Sequence, residues 1–139
     1  PVWNIENSFE EIASYNCQKA TTNYKGRIWT AWFCPDIPVG EGPWKLRGLP
    51  GLILKAEDSK GHFRFTCAGF KQLVQKRIIE KDQTHDYQII SRGDLDMQYK
   101  KFFSDPNDFL NNAIDLKGGS VKLSGPVLKR EYNPIELDK

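Results

Sequence analysis

The sequence lacks the long apolar segment that a membrane-spanning helix requires. Its apolar stretches are only a few residues long, whereas about 20 residues are needed to cross a bilayer as a helix. It also lacks an excess of one charge, because 20 Lys and Arg residues stand against 18 Asp and Glu residues, for a net charge of +2. Domains that bind nucleic acids usually carry a strong basic excess on one face. We therefore expect no transmembrane span and no nucleic-acid partner.

Histidine and cysteine are scarce, and their spacing fits neither a metal site nor a local catalytic pair. The chain has two histidines and three cysteines, with no Cys-x-x-Cys and no His-x-x-x-His, the spacings typical of metal sites. His62 and Cys67 lie five positions apart on a predicted strand and so point to opposite faces. Gly-x-Ser-x-Gly and Gly-x-x-x-x-Gly-Lys are also absent. We predict no metal, no cofactor and no catalytic residue, although His85 is free to approach a thiol from elsewhere in the chain.

The chain also begins without a methionine or a signal peptide, at Pro1-Val2-Trp3, so we interpret it as a piece of a longer protein. Its 139 residues match the usual size of one domain. Aromatic residues make up 12%, and disordered chains are poor in them. We predict a single folded domain over residues 1–139.

Short runs rich in Thr, Trp, Phe, Ile and Tyr alternate with turn residues, which is typical of antiparallel β structure. The clearest hairpin joins residues 15–22 to residues 27–34 through a Lys-Gly turn at 25–26. A two-residue turn fixes the register of such a hairpin and places Cys17 opposite Cys34. A three-residue loop would shift the pairing by one residue.

The second strand of this hairpin carries large aromatic residues on both faces. Alternation along a strand places Trp29 and Phe33 on one face and Trp32 and Cys34 on the other. A sheet with one solvated face shows alternating apolar and polar residues instead. We therefore predict either that both faces of this strand are covered or that one of them lines a cavity.

The rest of the chain is predicted to contain a second hairpin, further short strands and two helices. The hairpin joins residues 52–57 to residues 62–69 through a turn at 58–61, and the further strands lie at 73–81, 87–91 and 121–123. Asp94 is predicted to cap a helix that runs through Phe103, and Asp105-Pro106 to begin a second helix.

Residues 48–53 read Gly-Leu-Pro-Gly-Leu-Ile. Proline pushes Leu49 to an extended conformation, and Pro50-Gly51 suits the centre of a type II turn, in which Gly51 takes a positive φ. This string resembles the namesake motif of the GLPGLI family, largely uncharacterised proteins exported by Bacteroidetes. Similar flanking segments lie at 15–20, 29–33, 35–38, 42–45 and 133–137.

The resemblance covers essentially the whole chain. Members of the family are longer, with a signal peptide and further strands upstream, so it implies the C-terminal portion of an exported protein. The implied location is the periplasm, the outer membrane or the exterior. The chain also distantly resembles periplasmic lipoprotein carriers, which are half-barrels that hold acyl chains under short helices. The expected fold is mainly β (α+β): a curved antiparallel sheet or half-barrel with one or two short helices in the C-terminal half.

Apolar residues around the motif form the candidate ligand-binding set. They are Trp29, Phe33, Trp44, Leu49, Pro50, Leu52 and Ile53. A concave surface of this composition suits an apolar ligand, and we predict non-catalytic binding of a lipid or another hydrophobic small molecule. One alternative is ordinary core packing. Another is a structural or protein-interaction module that packs against missing N-terminal strands or an envelope protein. The sequence leaves the oligomeric state open.

Three cysteines in an exported protein favour one disulfide. The hairpin register pairs Cys17 with Cys34, and this bridge would close a loop of about 17 residues and contribute about 3 kcal/mol in the loop-entropy model. The alternative is that both are reduced core cysteines. Cys67 is left over and is predicted to be a buried, inert thiol.

Overall fold

The computed structural model describes residues 1–71, 73–75, 78, 80, 89–113 and 131–137. The chain forms two compact units, one of residues 1–78 with the segment that begins at Ile135, and the other of residues 79–134. The first unit contains an open, five-stranded antiparallel sheet, and the second contains two helices. The predicted class, mainly β with short helices in the C-terminal half, is confirmed.

The sheet is a meander in which each strand pairs with the next one along the chain. Its strands are β1 (Asn4–Ile12), β2 (Tyr15–Tyr24), β3 (Arg27–Cys34), β4 (Leu52–Asp58) and β5 (Arg64–Thr66). The turns after β1 and β2 have two central residues with positive φ, Ala13-Ser14 and Lys25-Gly26. This geometry matches the twist of antiparallel strands and closes both hairpins tightly.

The register between β2 and β3 is the predicted one. Lys19 faces Trp32 and Gln18 faces Phe33, as a two-residue turn requires. β1, in contrast, is not indicated by the sequence, because Ile5 and Phe9 are its only large apolar residues before Ile12 and the strand carries a bulge between them.

One face of the sheet is buried under residues 35–51, the segment that connects β3 to β4. We term it the loop-covered face; its buried residues are Ala20, Trp29, Ala31, Phe33, Ile53 and Ala56 from the strands and Leu46 and Leu49 from the segment. Ala20, Ala31 and Ala56 lie side by side on three adjacent strands. The two leucines of the segment belong to the same buried cluster as this row of small side chains.

The opposite face, termed the charged face, combines ionic residues with a smaller apolar cluster. Its ionic residues are Glu6, Glu10, Lys19, Lys55, Glu57 and Arg64. Its buried residues are Ile12, Cys17, Trp32, Cys34 and Leu54. Of the two predicted alternatives for β3, the structure shows cover on both faces.

The predicted type II turn at Pro50-Gly51 is wrong, because the positive φ, +92°, belongs to Gly48. Glycine is needed at Gly51 for a different reason. A Cβ there would lie 2.1 Å from the backbone oxygen of Cys34. The absence of a side chain thus lets the connecting segment pass against the end of β3 as it enters β4.

The second unit contains α1 (Arg92–Ser104) and α2 (Pro106–Ala113). The predicted start of α2 is confirmed, since the Asp108 N–H donates to Asp105 Oδ1 at 2.9 Å. The predicted cap of α1 is wrong. Ser91 is the N-cap, and its hydroxyl accepts a hydrogen bond from the N–H of Asp94, three residues further on. Serine and aspartate both suit this position, so spacing alone did not distinguish them.

Two further predicted strands do not form where the chain is described. Residues 73–75, 78 and 80, and residues 89–91, are outside any strand. Val74 and Ile89 are fully exposed, so their apolar character is not used to pack a sheet. The remainder of these ranges and the predicted strand at 121–123 lie outside the described residues. Within the described part of the chain, no helix is both long and apolar enough to cross a membrane.

Candidate functional site

Four of the predicted ligand-binding residues lie in the core of the loop-covered face. Trp29 is 0%, Phe33 1%, Leu49 3% and Ile53 4% exposed. All four belong to one apolar cluster. This location agrees with ordinary core packing, the alternative that the sequence left open.

The other three predicted residues lie on different surfaces. Trp44 is half-buried, and its ring centroid is 5.7 Å from that of Trp29. Pro50 is exposed. Leu52 is half-buried and packs against the apolar cluster of the charged face. The seven residues therefore do not converge on one cavity, but Leu52 and Ile53 meet in a groove.

An open groove of about 560 Å³ lies along the outer edge of β4. We term it the edge groove; the residues that give it its apolar character are Pro43, Leu52, Leu54, Phe65 and Phe70. Glu41 and Arg64 border it with charges of opposite sign. A largely apolar groove with a few polar groups is the usual form of a site for small molecules.

The edge groove exists because β5 is shorter than β4. β5 pairs with β4 only between Lys55 and Glu57, so in the described part of the chain the first half of β4 has no neighbouring strand on that side. Along this first half of β4, the Cys67 N–H donates to Leu54 O at 2.7 Å, and the Ile53 N–H donates to Glu41 O at 3.0 Å. The segments that carry Cys67 and Glu41 are therefore held against the same edge of β4 and form the two sides of the groove.

The charged face has a second groove, of about 480 Å³. Its basic residues already have acidic partners: Lys55 Nζ lies 2.8 Å from Glu10 Oε1, and Arg64 Nε lies 3.0 Å from Glu57 Oε2. Lys19 is paired with Glu6 in the same way. Paired charges leave little net field to attract a charged ligand, which makes this surface a weaker candidate than the edge groove.

A buried ion pair lies at one end of the loop-covered face. Arg27 Nη1 lies 2.9 Å from Asp58 Oδ2, and the two side chains are 2% and 1% exposed. Arg27 Nε also donates to Ile135 O at 3.0 Å, which ties the C-terminal segment of this unit to the β2–β3 hairpin.

The carboxylate of this pair is kept ionised by its hydrogen bonds. Burial alone would raise the pKa of Asp58, but the Phe63 N–H, which donates to Oδ1 at 2.9 Å, and the Arg27 guanidinium outweigh it. The pKa of Asp58 is therefore lowered from its usual value.

His62 approaches this carboxylate, the arrangement that would favour catalysis. Its Nδ1 lies 4.0 Å from Asp58 Oδ2 but 3.3 Å from Arg27 Nη1. Arginine can only donate, so Nδ1 accepts and carries no proton toward Asp58. In a catalytic dyad the histidine donates that proton to the carboxylate. The Arg27, Asp58 and His62 cluster therefore differs in geometry from a catalytic dyad. His85 lies outside the described residues.

Metal-binding groups do not gather anywhere in the described ranges: no three His, Cys, Asp or Glu side chains lie close enough to share an ion. Cys17, Cys34 and Cys67 are free cysteines in the structure, and the disulfide predicted between Cys17 and Cys34 stays a prediction. Cys17 and Cys34 are completely buried. Burial, followed by the neighbouring Cys34 thiol, raises the pKa of Cys17 to about 11.

Phe65 and Phe70 both border the edge groove, but neither was predicted from the sequence as a ligand-binding residue. Alternation along the strand indicated that Phe65 and Cys67 share a direction, but only the pairing of β5 with β4 shows which edge they border. Phe70 lies beyond β5, where no regular pattern applies.

A family model described as a protein of unknown function (Porph_ging) matches residues 23–55. This part of the chain contains β3, the connecting segment 35–51 and the beginning of β4. It thus includes the cover of the loop-covered face and one side of the edge groove, but less than half of the chain. Neither the curated proteins nor the solved structures include a match.

Proposed function

We propose that the protein binds a hydrophobic ligand, such as a lipid acyl chain, in the edge groove and does not catalyse a reaction. The observation that supports this most directly is the groove itself, whose volume of about 560 Å³ falls within the range of small-molecule sites. Leu52 and Phe65, which are half-buried, and Phe70, which is exposed, offer apolar surface to a ligand. Covering that surface would stabilise the complex by about 25 cal/mol for each Å² removed from water.

We also propose that the chain acts in the cell envelope as part of an exported protein of the GLPGLI type. Support comes from the resemblance of residues 48–53 to that family's motif. The motif has a clear position relative to the groove: it ends at Leu52 and Ile53, which border it. Gly51, within the motif, allows the close approach to β3 that starts β4 at this place.

Binding can be tested with a fluorescent acyl-chain probe, dansyl-labelled undecanoic acid, titrated into the purified chain. Phe70 is 49% exposed and borders the edge groove. Phe9 is 53% exposed and lies on β1, at the opposite edge of the sheet. Phe70→Ser should weaken binding about tenfold, equivalent to about 1.4 kcal/mol, while the matched control Phe9→Ser should bind as the parent does.

Two results would contradict the proposal. One is a parent protein that does not bind the probe at micromolar concentration. The other is equal loss of affinity in the Phe70→Ser and Phe9→Ser variants, which would place binding outside the groove.

A protein-interaction module is the second candidate, and the observation that favours it is the outer edge of β1. Among the described residues, no strand pairs with this edge of the nine-residue β1. Ile5 and Phe9 on this strand are 47% and 53% exposed. An unpaired edge with exposed apolar side chains can accept a strand from a partner. Light scattering would then show an assembly that Phe9→Ser disrupts and Phe70→Ser leaves intact.

A further inference from the structure

We propose that Cys17 and Cys34 form a cross-strand disulfide that closes while the chain folds, and that Cys67 stays a free thiol. This inference is independent of the ligand proposed for the edge groove. It rests on strand register, on burial and on the position of Cys67 relative to β4.

Register places the first two cysteines opposite each other. The β2–β3 pairing reaches Gln18 and Phe33, and the next position along both strands brings Cys17 opposite Cys34. Opposed residues of antiparallel strands have Cα atoms about 4.5 or 5.5 Å apart. Both separations lie within the range that disulfides span, about 4.4–6.8 Å. The two thiols also interact directly with each other.

The same geometry excludes Cys67 as a partner. Its N–H bonds to Leu54 O on β4, and β4 lies between it and β3. Neighbouring strands are about 4.8 Å apart, so two strands separated by a third are about 10 Å apart. This exceeds the separation of about 7 Å beyond which a disulfide needs backbone movement. Cys67 is therefore too far from Cys34, and farther still from Cys17 on β2.

Closing the bridge requires an oxidant, and a low-molecular-weight disulfide such as oxidised glutathione suffices. One cysteine thiolate attacks the glutathione disulfide, which forms a mixed disulfide and releases one glutathione thiol. The second cysteine then attacks the mixed disulfide, forms the Cys17–Cys34 bond and releases the second glutathione thiol. The two cysteines lose two electrons and two protons, and one oxidised glutathione becomes two thiols.

The timing follows from burial. Both thiols are 0% exposed in the folded chain, so an oxidant cannot reach them there. The pKa of Cys17, raised to about 11, also leaves very little of the reactive thiolate at neutral pH. In the unfolded chain both obstacles are absent. We therefore expect the bridge to close before the apolar cluster of the charged face has formed.

The test is to refold the full chain from denaturant, once in a mixture of oxidised and reduced glutathione and once in reductant alone. Free thiols are then alkylated in denaturant, and the mass of tryptic peptides is measured. Lys19, Arg27, Lys45, Arg64 and Lys71 place the three cysteines on separate peptides.

After oxidative refolding we expect the Cys17 and Cys34 peptides to be linked and Cys67 to be alkylated. The control Cys67→Ser should keep the link. The bridged form should melt about 10 °C higher than the reduced form. Folded, reduced protein placed in the same glutathione mixture should remain reduced for the time in which refolding protein closes the bridge.

Alkylation of all three cysteines after oxidative refolding would overturn the pairing, and so would a link that includes Cys67. Equal rates of closure in the folded and the refolding protein would overturn the timing. The peptide map of the parent chain decides the pairing, so the test does not depend on a variant that fails to fold.

Discussion

The two faces of the sheet bury their tryptophans in different ways, although both residues belong to β3. Trp29 is 0% exposed beneath the connecting segment, with the rings of Trp44 and Phe65 around it. Trp32, on the charged face, is 8% exposed, and Lys55 Nζ lies 4.1 Å from its ring centroid. A covering segment excludes water altogether, whereas the alkyl stem of a lysine covers an aromatic ring and keeps the surface ionic.

The two faces also place charge differently. The Arg27–Asp58 pair of the loop-covered face is almost completely buried. The Lys55–Glu10 pair of the charged face has side chains 21% and 43% exposed. Removing one partner of a buried pair leaves an uncompensated charge, while an exposed pair contributes little. The comparison shows that two residues of the same type can contribute differently to the free energy of unfolding, because their contribution depends on the face of the sheet on which they lie.

The largest expected cost is that of removing the tryptophan of the loop-covered face. Trp29→Ala should lower the free energy of unfolding by about 4 kcal/mol, because it leaves a cavity enclosed by other side chains. Trp32→Ala should cost about 2 kcal/mol, because water and the Lys55 side chain can fill the space at the surface. Urea denaturation followed by circular dichroism measures both. Equal losses of stability in the two variants would show that the connecting segment and the Lys55 side chain cover their tryptophans equally well.

The ion pairs should differ next. Asp58→Asn should cost about 3 kcal/mol, because it removes the carboxylate charge that faces the buried Arg27 guanidinium. Glu10→Gln, the matched change on the charged face, should cost less than about 1 kcal/mol. Both values come from denaturation at neutral pH. If Glu10→Gln costs as much as Asp58→Asn, burial does not determine how much an ion pair contributes to the stability of this sheet.

The buried carboxylate also predicts a pH dependence. Its folded pKa lies below its usual value of 3.8, so it contributes stability that is fully present above about pH 4 and is lost as the pH falls through the folded pKa. The parent should lose free energy of unfolding below about pH 4, and the Asp58→Asn variant should show a shallower loss. Thermal melts between pH 2 and 7 measure the two profiles, and parallel profiles would exclude Asp58 as a contributor.

The cover of the loop-covered face depends on the close approach of Gly51 to β3. Gly51→Ala should cost about 2 to 3 kcal/mol, because its Cβ would collide with the Cys34 carbonyl. Gly48→Ala is the control: its Cβ would meet nothing within 4 Å, and only the positive φ opposes it, for about 1 kcal/mol. Denaturation curves should show this order, and the reverse order would mean that strain at Gly48 dominates.

The smallest expected effect concerns the lysine over Trp32. Lys55→Ala should cost about 1 kcal/mol, since it removes the alkyl stem, the contact of the ammonium with the ring and the pair with Glu10. Lys55→Met keeps an apolar stem and should cost about half as much. If the methionine variant is as unstable as the alanine variant, charge rather than coverage stabilises this face.

The β2–β3 register could be predicted because its cause is local. Lys25-Gly26 forms a two-residue turn, and such a turn determines which residues face each other. The start of α2 at Asp105 and Pro106 has the same local origin. The requirement for glycine at Gly51 could not be assigned correctly, because its cause is the Cys34 carbonyl on another part of the chain.

The candidate site was predictable only in part. Leu52 and Ile53 were selected from their motif, and both border the edge groove, although Ile53 is also buried in the core. Trp29 and Leu49 were selected from the same apolar character, yet they lie in the core. Hydrophobicity favours removal from water but does not specify whether a neighbouring side chain or a ligand provides the cover.

Local patterns in the sequence determined the hairpin of β2 and β3, its tight turn and the distribution of aromatic residues over both faces of β3. Tertiary structure alone decided that residues 35–51 cover one face of the sheet and that Lys55 covers Trp32 on the other. It also decided where β5 ends, which leaves the edge groove open. The physical reason is the range of the interactions. Turn geometry and strand alternation act between residues near each other in sequence, whereas burial and close approach depend on segments that meet only when the chain has folded.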